Sequence, residues 1–131
     1  MSSIFTKIIN GEILCYKVAE SETCFAFLDI NPLAKGHTLI VPKKEVDYIF
    51  DVEDVLYSEL MLFAKRVGKA IEKVIPCERI GVTVIGLEVA HAHLHLIPIN
   101  SISDMNFANS KLALSKDELT ELATRIASEV R

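Results

Sequence analysis

An α+β fold, with about five mostly antiparallel strands and helices against one face, follows from three features of this 131-residue sequence. Short apolar runs broken by polar turns recur through residues 15–41 and 79–98, as strands that are neighbours in sequence do. Residues 52–74 repeat apolar side chains at helical spacing, which predicts one long helix. Ser115-Lys116-Asp117-Glu118 has the capping-box pattern that opens a further helix.

Each element has a local cause. Ile4, Phe5, Ile8 and Ile9 fall at i, i+4 and i+5 spacing, which predicts a short amphipathic helix that Gly11 stops. Residues 15–19 and 23–30 read as strands on either side of polar Glu20-Ser21-Glu22, a hairpin. Asn31-Pro32 opens a loop that ends at Lys35-Gly36, and residues 37–41 form a third strand closed by Pro42. The long helix takes Asp51 as its N-cap, with Glu53 and Asp54 at the positive end of its dipole. Its apolar positions 52, 55, 56, 60, 63, 67, 70, 71 and 74 track one face, and Pro76 ends it. Residues 79–87, rich in Val and Ile, make a fourth strand, and Gly86 marks a turn before the fifth. Residues 101–110 are polar and read as a loop. Ser115 caps the last helix, whose buried side is Leu119, Leu122, Ala123, Ile126 and Val130.

Composition bounds the function. Half of the residues are hydrophobic, enough for one compact core, and the length suits a single domain over residues 1–131. A formal charge of −4 argues against a nucleic-acid partner, whose site is usually basic. Met1-Ser2-Ser3-Ile4-Phe5-Thr6-Lys7 lacks the basic start and apolar run of a secretory signal. No stretch approaches the roughly 18 uninterrupted apolar residues of a membrane span. Cys15, Cys24 and Cys77 are odd in number and never at CxxC spacing, so reduced thiols in a cytoplasmic protein are expected.

The chemistry concentrates in His91-Ala92-His93-Leu94-His95-Leu96-Ile97-Pro98, which holds three of the four histidines. The alternation has the period of a strand. Ala92, Leu94 and Leu96 would face the core, and the imidazoles would line the other face about 6.6 Å apart. Three readings stand side by side. The row is a set of solvated polar residues; or His91 and His93 chelate a catalytic metal with His95 or His37 as third ligand; or a neutral imidazole attacks phosphorus and forms a phosphoramidate that water then breaks. In the last case neighbouring imidazoles keep the attacking ring neutral and stabilise phosphate oxygens.

His91-Ala92-His93-Leu94-His95-Leu96-Ile97 resembles the His-φ-His-φ-His-φ-φ motif, φ being apolar, of the histidine triad (HIT) proteins. Residues 3–13 are similar to that family's opening. Phe25-Ala26-Phe27-Leu28-Asp29-Ile30-Asn31-Pro32, followed by Lys35-Gly36-His37-Thr38-Leu39-Ile40-Val41-Pro42-Lys43, is similar to its "F-x-D-I-x-P…G-H-x-L-x-x-P-K" segment. The resemblance, over roughly residues 3–98, implies a HIT-like α+β fold with one long and one or two shorter helices. It implies a homodimer with a continuous sheet and a site for a purine nucleotide, AMP-like, with no cofactor. By motif position His93 would be the nucleophile, His95 and His37 would lie beside the α-phosphate, and His91 would support His93. Asp29 would hold the ribose hydroxyls, and Ile4, Phe5, Ile8, Phe27, Leu28 and Ile30 would line the base pocket. The implied activity is hydrolysis or nucleotidyl transfer on purine nucleoside phosphoramidates or adenylates. A dinucleoside polyphosphate hydrolase and a non-catalytic nucleotide-binding module are the alternatives.

Three departures stand against the resemblance. Bacterial relatives often open with a zinc-holding Cys-x-x-Cys; Ser3 and Thr6 occupy those positions, so no metal is expected. Val84-Ile85-Gly86-Leu87-Glu88-Val89-Ala90 lacks the Asn and Gln that relatives direct at the phosphate and leaving group, and Glu88 stands where Ser or Thr is usual. Residues 101–109 lack a Trp-Pro-Pro-Gly tail.

Overall fold

The computed structural model describes residues 2–131; Met1 lies outside them. Five strands form one sheet: β1 (Lys17–Glu20), β2 (Cys24–Leu28), β3 (Thr38–Pro42), β4 (Arg79–Thr83) and β5 (Leu94–Ile99). The order is β1-β2-β3-β5-β4, and every neighbouring pair is antiparallel. Helices α1 (Ile4–Ile9), α2 (Asp54–Val74) and α3 (Lys116–Glu129) complete the fold.

The period-two strands sort their side chains between two cores. Cys24, Ala26, Leu28, Ile40, Leu94 and Leu96 pack with the apolar faces of α2 and α3. Phe25, Phe27, Leu39 and Val41 face the other way and pack with Phe5 of α1. The sheet is therefore covered on both sides, not on one as its pattern suggests, because Phe5 and Ile8 bring α1 onto the second face. Ser3 caps α1 by accepting from the Thr6 amide, and Gly11 follows the helix at φ +80°. Ser115 and Glu118 make both bonds of the predicted capping box on α3.

Four boundaries move for identifiable reasons. Asp51 does not cap α2: Ile49–Asp51 close a separate 3-10 turn held by buried Ile49 and Val52, and the helix starts at Asp54 after Glu53. Strand β4 stops at Thr83, whose partner is His95, and does not reach residue 87. The histidine strand begins only at Leu94, because the Ala92 amide donates to the Val46 carbonyl and the His91 ring binds the Pro42 carbonyl in place of ladder bonds. The polar stretch 101–110 contains a second 3-10 turn, Ile102–Met105, closed by Ser101 and Asp104.

Gly36 links the Asn31-Pro32 loop to β3 at φ +97°. A Cβ there would meet the Ile75 side chain at 2.9 Å and Pro98 at 3.3 Å, whereas one on Gly86, at φ +76°, meets nothing within 4 Å. Gly86→Ala should cost only left-handed strain, about 1–2 kcal/mol. Gly36→Ala should cost about 1–3 kcal/mol more, for overpacking. Urea denaturation of the two variants measures the difference.

Candidate active site

Strand register brings the first two imidazoles together. Leu39 pairs with His95, so His37, two residues earlier on the same face, lies diagonally across from it. Their ring centroids are 5.2 Å apart, and those of His93 and His95 are 4.9 Å apart. All four histidines are buried: His91 at 0%, His37 at 1%, His93 at 5% and His95 at 9% exposure. The row is thus not a solvated face, and His93 and His95 stand closer than the roughly 6.6 Å of alternate positions on an extended strand. Phe5 stacks edge-to-face on His91 and His93, and Phe107 does the same over His95.

Hydrogen bonds to groups of fixed polarity settle where each proton sits. His93 Nδ1 lies 2.8 Å from the His91 carbonyl oxygen. A carbonyl only accepts, so the proton is on Nδ1 and the Nε2 lone pair is free. The Leu33 amide donates to His37 Nδ1 at 3.0 Å, which places the His37 proton on Nε2. Nε2–H donates to His95 Nδ1, 3.0 Å away, so His95 keeps its own proton on Nε2. The result is a bare nucleophilic nitrogen on His93 beside a donor N–H on His95.

His91 does a different job. Its Nε2–H donates to the Pro42 carbonyl at 2.8 Å, and its Nδ1 accepts from the Ser3 hydroxyl at 2.8 Å. Thr6 donates through Oγ1 to Glu45, whose carboxylate also accepts from the Ser3 amide. The Ser3 and Thr6 positions therefore do reach His91, but they offer hydroxyls, and Ser3 already occupies the free lone pair of the ring. This donor set suits a hydrogen-bonded clasp and not zinc, which takes thiolate and imidazole ligands.

The cavity holds about 280 Å³. It is lined by Ile4, Phe5, Ile8, Phe27, Leu28, Asp29, Ile30, His93 and His95, all singled out by sequence. His37 reaches it only through His95 and Asp29, and His91 lies behind it. Leu28 belongs also to the main core, while Ile30 is 63% exposed at the rim. Asp29 divides its carboxylate: Oδ1 caps the Asn31 amide at 2.8 Å, and Oδ2 lies 3.6 Å from His37 Nε2. Sequence reasoning missed Ile13, Leu14, Cys15, Asn31, Leu39 and Val89 in the lining, and Phe107 over His95. Leu14 gave a signal: an apolar residue in the turn after α1, 96% exposed, with no core to fill.

Burial holds the imidazoles of His37, His93 and His95 neutral near pH 7. Desolvation, with neighbouring rings and Lys111 adding to it, pushes His37 down to about 3. Desolvation and His93 push His95 to about 4. Desolvation also lowers His93, against the opposing pull of its bond to the His91 carbonyl and of Glu88. Asp29 is raised, chiefly by burial and further by Glu88. Ligand atoms of Asp29, His37 and His95 all lie within 4.8 Å of one another, close enough to share a metal ion. His37 could join such a set only by surrendering its Nε2 proton and with it the bond from Leu33.

The depressed values set a pH dependence. His37 and His95 resist protonation when folded, whereas the unfolded chain takes up those protons near the ordinary 6.5. Their contribution to stability is complete above that value and is lost as pH falls towards about 4 for His95 and about 3 for His37. Thermal unfolding across this window should show Tm falling with acid, and the slope should be shallower in His37→Gln, which removes one of the two groups.

Comparison with known proteins agrees with this fold. Adenosine 5'-monophosphoramidase hnt1 of Schizosaccharomyces pombe is 33% identical over 134 residues, covering 100% of both chains. Adenylylsulfatase HINT3 of Arabidopsis thaliana is 29% identical over 133 residues, covering 98% of this chain and 67% of the plant protein. The crystal structure of a Hit-like protein involved in cell-cycle regulation from Bartonella henselae superposes with a TM-score of 0.84 at 28% identity, over 98% of this chain and 96% of the other. A match to the HIT domain runs over residues 10–102, across every strand of the sheet and the whole histidine row, and the chain belongs to the HIT family.

Proposed function

We propose that this protein is a nucleotide-binding hydrolase that cleaves at the α-phosphate of a purine nucleoside phosphoramidate or adenylate, through a nucleotidyl intermediate on His93. One observation carries the reading: the Nδ1–H of His93 is tied to the His91 carbonyl, which leaves the Nε2 lone pair free on a ring that walls the cavity. That nitrogen attacks phosphorus. The departing amine leaves with the electron pair of the P–N bond and takes up a proton from solvent. Water then displaces His93 from the nucleotidyl intermediate and releases the nucleotide. The Nε2–H of His95 is placed to donate to a phosphoryl oxygen, its orientation maintained by His37. Asp29 offers Oδ2 to the ribose hydroxyls, and the apolar walls, Phe5 and Phe27 among them, take the base. The phosphoramidase and adenylylsulfatase names of relatives support the α-phosphate as the point of cleavage. Dinucleoside polyphosphates, cleaved at the same atom, are the second substrate class.

Residues 1–131 form one HIT domain on this reading, since α3, beyond the matched region, packs into the core that α2 shares. The chain works as a homodimer. Strand β4 is an open sheet edge, and its half-exposed Val82 borders a groove with Met61, Gly68, Ile80 and Leu96. Pairing two β4 edges would continue the sheet and cover that groove. No helix among the described residues is long and apolar enough to cross a membrane. The free thiols of Cys15, Cys24 and Cys77 suit the reducing cytoplasm.

His93→Ala should lower turnover of an adenosine 5'-phosphoramidate by at least about a thousandfold while the thermal transition persists. Incubation of the wild type with a phosphate-labelled substrate should leave label on His93. Binding of AMP with no labelled histidine and no turnover would instead identify a binding module. Val82→Lys should convert a dimer to a monomer in light scattering, and a wild type that scatters as a monomer would sink the interface.

A further inference from the structure

Glu88 has no part in the chemistry above, yet it lines the same cavity as His93, His95 and Asp29. Its position matters because the cavity has so little positive charge. Asp29 and Glu88 bring two carboxylates. The three nearest imidazoles are neutral near pH 7, since burial lowers all of them. Lys111 is the cation felt at Asp29 and His37, and its ammonium already donates to the carbonyls of Phe107 and Asn109. On the His93 side the carboxylate of Glu88 acts against the ring of His91 and pulls the His93 value up.

We propose that Glu88 selects the leaving group by charge, favouring a cationic amine and disfavouring a group that carries further phosphate, sulfate or carboxylate charge. The inference rests on cleavage at the α-phosphate by His93. In a phosphoramidate the nitrogen takes up a proton before the P–N bond breaks, and a nearby carboxylate stabilises that positive charge; the bond's electron pair then goes to nitrogen, and the amine departs neutral and binds a further proton in water. When a P–O bond to sulfate or phosphate breaks, the electron pair goes to an oxygen that departs as an anion and adds to the repulsion. Glu88 therefore separates the two substrate classes that the nucleophile alone does not distinguish. Because Glu88 is solvent-exposed, screening limits the effect to about five- to tenfold.

Three amides hold the scissile P–N bond constant and vary the charge beyond it, and a sulfate anhydride then changes the bond to P–O. Adenosine 5'-phosphoramidates of ethylenediamine, propylamine and β-alanine present cationic, neutral and anionic tails, and adenosine 5'-phosphosulfate adds an anionic group on oxygen. In the wild type kcat/KM should fall in that order of tail charge, and added sodium chloride should narrow the spread. Glu88→Gln should reduce the ethylenediamine to β-alanine ratio about five- to tenfold, and Glu88→Lys should reduce it further. Glu88→Asp should keep the wild-type order. An enzyme active on the whole series, whose ratios are the same in wild type, Glu88→Gln and Glu88→Lys, overturns the role of Glu88 and leaves cleavage at His93 standing. A wild type that turns over none of the four substrates and takes no label on His93 overturns the parent reading instead.

Discussion

The ring of His91 is the joint on which the site is assembled, although it lies outside the cavity. One nitrogen donates to the carbonyl at the end of β3, and the other accepts from the hydroxyl that caps α1. These two bonds join the end of the central strand, the helix that covers the second face and the approach to β5. They also set the carbonyl that holds His93. Each bond is worth only about 1 kcal/mol net, but a buried ring left without them would cost more than their sum in unmet polar atoms. Strand pairing is given up at His91 and Ala92 for this purpose, so the histidine closest to the turn becomes a structural tie.

Burial gives the site its character and also its main electrostatic problem. The aromatic rings that close over His93 and His95 help to bury the imidazoles and keep them uncharged, so the free nitrogen of His93 retains its lone pair. The same exclusion removes the positive charge that would ordinarily meet a phosphate. What remains for an oxyanion is hydrogen bonding from oriented N–H groups, His95 Nε2–H foremost. That chain of donors starts at the Leu33 amide and runs through His37, which explains why a residue that barely touches the cavity is placed with such care. A further carboxylate on the wall, Glu88, would be harmless in a site rich in cations, and its weight here is what the proposed selection of leaving groups rests on.

Helix α1 shows how closely folding and binding are combined in a chain of this size. Ser3 caps the helix and holds His91. Phe5 fills the second core, covers two imidazoles and lines the cavity. Ile4, by contrast, is half exposed and serves the cavity alone. A six-residue helix is too short to persist by its own hydrogen bonds, so its order depends on Phe5 and on the clasp to His91 and Glu45.

The sequence by itself determined the class of fold, the strands and the long helix, because period-two and period-3.6 burial are written residue by residue. It also determined most of the candidate site: the ordered motifs around Asp29, His37 and the histidine row pointed to side chains of which all but His37 and His91 line one cavity. Only the tertiary structure decided how the histidines divide their work. Alternation made them equivalent, whereas the proton on the His91 ring depends on a carbonyl and a hydroxyl 49 and 88 residues away, at Pro42 and Ser3, and that on the His95 ring depends on His37, 58 residues away. The same reason hid Phe107, whose place over the His95 ring comes from a loop without periodic pattern. Local spacing records which face a side chain takes; what meets it there is a matter of sequence separations of tens of residues, and that only the folded chain supplies.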